Sequence, residues 1–83
     1  MPVLIMFRSL TYAQRGAKAL EKSGINASLI KAPLGTSERG CSYCVRISEG
    51  KLYRALDVLQ GQGIEHGRIL KKGGDGEYRE VGL

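Results

Sequence analysis

Identical residues recur in this chain at one constant spacing of 39 positions: Ser9 and Ser48, Leu20 and Leu59, Gly24 and Gly63, Ile25 and Ile64, Ile30 and Ile69. Each half then reads as strand, hydroxyl cap, helix, glycine stop, strand. Ser9 or Thr11 offers a side-chain oxygen to the free amides of a first helical turn, and Gly24 and Gly63 suit the left-handed residue that ends a helix. Two such halves in tandem specify an α+β fold, β-α-β-β-α-β. This is the ferredoxin-like (split βαβ) two-layer sandwich, a four-stranded antiparallel or mixed sheet with two helices on one face. Right-handed crossovers put its first and third strands in the centre.

The run Pro2–Arg8 is almost continuously apolar, which marks a strand buried on both faces. Leu10, Ala13, Ala17 and Leu20 follow at helical spacing, with Arg15, Lys18 and Lys22 turned outward. Gly16 interrupts this helix at a cost of about 1 kcal/mol relative to alanine, which close helix–sheet packing would explain. A second strand is expected over 25–32, a third over 41–48 and a fourth over 64–70. Leu52, Ala55, Leu56 and Leu59 form the inner face of the second helix, which starts around Ser48, Glu49 and Gly50. The domain expected from this pattern covers 1–72. Residues 73–83 read as a Gly-rich, charged tail in which Tyr78–Val81 could pair briefly.

Within 83 residues there is room for one modest core. Val3–Phe7 is too short for a membrane span or a signal-peptide core, so the expected location is cytoplasmic, with no membrane partner. The net charge is +5, but the 13 cations are spread along the chain and only Lys71 and Lys72 adjoin. A basic domain attracts polyanions whether or not that is its role, and this distribution argues against a dedicated nucleic-acid surface.

Cys41 and Cys44 are the only cysteines, in the stretch Thr36–Ile47, with Gly40 before the first and Arg39 and Arg46 on either side. In a reducing compartment such a pair points to catalysis, redox chemistry or metal binding more than to a structural staple. The topology sets the loop before the third strand at the carboxyl end of the first, beside the start of the first helix. Cys41 is therefore expected to face the amides of Leu10–Tyr12. The helix dipole and Arg8 would lower its pKa there, with Ser9, Thr11, Arg39 and Gly40 completing an anion-binding surround. Residues three apart on a regular strand point to opposite faces, so a Cys41–Cys44 bridge needs irregular backbone. Cys41 is the expected working thiol, and Cys44 a buried small residue or a resolving thiol.

The motifs Phe7-Arg8-Ser9, Pro33 after the second strand, and Gly40-Cys41-Ser42-Tyr43-Cys44-Val45-Arg46-Ile47 resemble a family of small sulfur/selenium carrier-like proteins. The resemblance spans about residues 3–70. It differs at Ser42, where the family has glycine, at Leu34-Gly35, and in the second cysteine, which lies outside the family pattern. What it implies is a carrier whose Cys41 holds sulfur or selenium as a persulfide-type adduct and passes it to or from a protein donor or acceptor. No resident cofactor or enzyme constellation accompanies it.

Other readings stay open beside this one. Cys41 and Cys44 together could form a thiol–disulfide or redox-sensing module. A metal half-site would need two further ligands from a second chain, and the lone histidine, His66, is an ordinary surface residue. Both cysteines could also be structural core in a partner-binding domain without chemistry. The open sheet edges leave room for a homodimer.

Overall fold

The first strand, β1, spans Pro2–Met6 and packs on both faces, as an uninterrupted apolar run requires. In the computed structural model, which describes residues 2–32 and 43–81, the order continues as α1 (Leu10–Lys22), β2 (Ser28–Lys31), β3 (Tyr43–Ser48), a 3-10 turn (Glu49–Lys51), α2 (Leu52–Gly61), β4 (Ile69–Lys72) and β5 (Tyr78–Glu80). The strands form one sheet in the order β2-β3-β1-β4-β5, every neighbouring pair antiparallel. β1 and β3 lie inside it. Among the described residues no helix is long and apolar enough to cross a membrane.

The sheet has five strands where the sequence led us to expect four. The fifth is built from the polar tail. Gly76 takes φ 84°, and the Gly73 N–H donates to the Glu77 carbonyl at 2.8 Å, reversing the chain after β4. Asp75 Oδ1 accepts from the Glu77 N–H, and both its oxygens accept from Arg79. The Arg79 guanidinium, and after it the Glu77 amide, hold the Asp75 carboxyl below its ordinary pKa. The chain then pairs Lys72 with Tyr78 and Leu70 with Glu80.

Both helices end in the same way, and here the 39-residue repeat is realised most fully. The Gly24 N–H donates to the Glu21 carbonyl and the Ile25 N–H to Leu20; the Gly63 N–H donates to Gln60 and the Ile64 N–H to Leu59. Gly24 and Gly63 take φ 82° and 69°. This is the Schellman arrangement, with its apolar contact between the residue after the glycine and the last inward residue of the helix. Ile25 and Ile64 are therefore buried helix stops, and β2 and β4 begin three and five residues later. The repeat lapses elsewhere. The Ser9 hydroxyl caps α1, whereas Ser48 makes no side-chain cap bond.

Two apolar clusters sandwich the sheet. On the helical side Val3, Ile5, Phe7, Val45, Ile47 and Ile69 pack against residues of α1 and α2. On the other side Leu4, Met6, Cys44 and Leu70 are buried together, with Ile30, Ala32 and Tyr78 at their margin. Along α1 the buried residues are Ala13, Gly16, Ala17 and Leu20, while Leu10, expected inside, is 39% exposed.

Gly16 belongs to the buried face because a Cβ there would lie 2.6 Å from Phe7 Cζ. Gly16→Ala gains about 1 kcal/mol of helix propensity but overpacks a ring that is 3% exposed, at a cost of roughly 1–3 kcal/mol. The expected outcome is a net loss of about 1 kcal/mol, reversed in sign when Phe7 is first shortened to leucine. Urea unfolding of the four-member mutant cycle measures it.

Candidate functional site

Three segments converge where β1 ends. β3 runs antiparallel to β1 with Cys44 opposite Met6, so Tyr43 comes next toward the rim. On the other side the Met6 N–H donates to the Arg68 carbonyl at 2.9 Å and the Gly67 N–H to the Met6 carbonyl at 2.7 Å. Beyond Met6 the chain buries Phe7 beneath α1, exposes Arg8, and turns into the helix at Ser9.

Ser9 is in extended conformation (φ −157°, ψ 165°), and its Oγ accepts the Tyr12 N–H at 3.3 Å. The first turn of α1 contains no acidic side chain to offset the positive end of the helix dipole. Thr11 is exposed on this turn. Tyr12 is flanked by two guanidinium groups, Arg8 at 5.5 Å and Arg15 at 5.8 Å from its ring centre. Arg8 also pairs with Glu65 at 3.6 Å, both side chains largely in solvent, where water screens the attraction. The rim is thus electropositive, and partly self-neutralised through Glu65.

Of the residues expected to form the site, Arg8, Ser9 and Thr11 lie together on this rim. Arg39, Gly40 and Cys41 fall outside the described residues. Cys44 is fully buried in β3, flanked across the sheet by Met6 and Ile30 on the face away from the helices. A nucleophilic sulfur must meet its partner's sulfur, and one in that position has no path to it while the sheet is closed. His66 is exposed, its Nδ1 lying 2.8 Å from the Gly67 carbonyl, the geometry of an Nδ1–H donor. Among the described residues no three His, Cys, Asp or Glu side chains group as metal ligands would.

The side chains of Tyr12, Arg15 and Glu65 belong to the rim as well, and none of the three was expected there. For the first two the signal was available: Arg8 and Tyr12 are four apart, Tyr12 and Arg15 three apart, the spacings at which side chains meet along a helix. Glu65 reaches Arg8 only through the tertiary fold.

Against known proteins, one family model, described as "Putative Se/S carrier protein-like", matches residues 3–71, from β1 into β4 and across both cysteines. Neither the curated proteins nor the solved structures gave a match. With the match running through 69 consecutive residues, the chain belongs to the Se/S carrier protein-like family.

Proposed function

We propose that this protein carries sulfur or selenium on Cys41 and exchanges it with a partner protein. The observation that carries the reading is family membership over residues 3–71. The rim supports the choice of thiol. In the sequence Cys41 precedes Tyr43, the first residue of β3, by two positions. Tyr43 follows the Cys44–Met6 pair toward the end of β1, and α1, whose first turn has no acidic side chain, starts at Leu10, four residues beyond Met6. Cations and helix N-termini favour the thiolate, the form that reacts. The burial of Cys44 favours one working sulfur over a cysteine pair.

The chemistry needs no cofactor. The Cys41 thiolate attacks the outer sulfur of a donor persulfide, R–S–SH. A bond forms between Sγ and that sulfur, the donor's S–S bond breaks, and the donor leaves as its thiolate. The proton stays on the transferred sulfur, and no electrons are gained or lost overall. Delivery is the same exchange with the carrier as leaving group. Selenium bound to a donor thiol is taken up in the same way.

The test is uptake from inorganic polysulfide by the reduced full-length chain, followed by intact mass and by cyanide-labile sulfur. Wild type and Cys44→Ala are expected to gain one sulfur atom, and Cys41→Ser none. Equal uptake by Cys41→Ser and wild type would overturn the proposal.

A further inference from the structure

On α1, Thr11, Arg15, Lys18 and Lys22 recur at i, i+4, i+7 and i+11, a line along the side opposite the buried Ala13, Gly16, Ala17 and Leu20. All four are exposed, and Arg8 extends the line onto the rim. Three cations elsewhere are answered by acids, Arg68 by Glu80, Lys71 by Glu49 and Arg79 by Asp75. Lys31, Arg46, Lys51, Arg54 and Lys72 have no acid partner among the described residues either, and what sets α1 apart is the alignment of its cations on one face. Arg15, Lys18 and Lys22 form no ion pair with any acid among the described residues; Arg15 contacts only the Tyr12 ring. Like charges three and four apart disfavour a helix, which sets Arg15 against Lys18 and Lys18 against Lys22, while Lys22 in the last turn suits the dipole. The line therefore adds little to the stability of the element that displays it.

We propose that this basic line on α1 is the docking surface for an acidic patch on the partner protein. The partner's being a protein rests on the carrier reading; its acidity rests on the charge pattern. Exposed cations steer an acidic partner into encounter and fix its orientation while adding little lifetime to the complex. That suits a carrier, which must dock, exchange and leave. The line begins at the rim, so a partner seated along it reaches the end of β1. A nucleic acid is the poorer fit. Arg15 to Lys22 spans only about 10 Å of helix, and the aromatic ring on this side, Tyr12, is already covered by two arginines.

The experiment is a residue-resolved NMR titration of the full-length chain with an octaglutamate peptide, and separately with an oligothymidylate of equal charge. The octaglutamate is expected to shift amides of residues 8–22, with affinity falling steeply between about 0.1 and 1 M salt as the Debye length shrinks from about 10 to 3 Å. Arg15→Glu/Lys18→Glu should weaken binding about tenfold, and Lys31→Glu/Lys51→Glu, with the same change of net charge, less than twofold. Equal weakening by both variants would show mere net charge and overturn the proposal. So would tighter binding of the oligothymidylate at the same amides. Cys41→Ser is expected to bind octaglutamate as wild type does, and Lys18→Glu/Lys22→Glu, which leaves the rim intact, to weaken that binding while keeping its polysulfide uptake, so docking and sulfur chemistry fail separately.

Discussion

Cys44 in the native chain is expected to react with iodoacetamide at least about a thousandfold more slowly than in the chain unfolded by guanidinium. Its sulfur has no exposed surface and sits between the two neighbouring strands of β3, opposite Met6 and Ile30. Reagent can reach it only after β3, an interior strand, separates from the sheet. Such openings cost nearly the full free energy of unfolding. For a domain of this size that is roughly 4–12 kcal/mol, and a thousandfold protection corresponds to about 4 kcal/mol. If Cys41 is the carrier thiol proposed above, it should label in the native state at a rate set by its thiolate fraction. Peptide mass mapping of a timed alkylation series follows both sites in one sample. Comparable native rates for the two cysteines would remove the single-thiol reading, because a reachable Cys44 would restore the paired redox alternative. The protection also bears on mechanism: a buried second sulfur cannot resolve an adduct on the first, so a persulfide carried on Cys41 would survive until a partner removes it.

Much of the fold was legible because its signals are local. The uninterrupted run of β1 announced a strand buried on two faces, and its residues do divide between the clusters, Val3 and Ile5 toward the helices, Leu4 and Met6 away from them. Gly24 and Gly63 marked helix ends because a left-handed residue is needed there. The same motif concealed the true starts of β2 and β4, since an isoleucine after a glycine stop looks like the first residue of a strand. β5 was nearly invisible for another reason. An edge strand whose residues are half or fully exposed has no apolar alternation to display, and Tyr78–Glu80 is held by its turn and by β4. At the site, position alone narrowed the cap to Ser9 or Thr11, and the structure gives that role to Ser9. The ion pair of Arg8 with Glu65 joins residues that only the antiparallel pairing of β1 with β4 brings near, so no local pattern encodes it.

Leu4→Ala is expected to destabilise the protein by about 2–5 kcal/mol, and so to lower the thermal midpoint by roughly 10–25 °C for a domain this small. Leu4 lies mid-strand in β1, opposite Arg46 on β3 and Leu70 on β4, on the face to which neither α1 nor α2 contributes a residue. If that face were the solvated back of a two-layer sandwich, truncation there would cost well under 1 kcal/mol. Its zero exposure says otherwise: Leu4 joins Met6, Cys44 and Leu70 in a second core. Leu29→Ala supplies the control. It is an apolar strand residue too, but 38% exposed on the edge strand β2, and its truncation should cost less than half as much. Chemical denaturation of the two variants decides the matter, and equal small losses would mean that the helix-free face contributes nothing. Because Cys44 sits in this second core, the same loss should speed its alkylation: if labelling proceeds through unfolding, each 1.4 kcal/mol removed raises its native rate about tenfold.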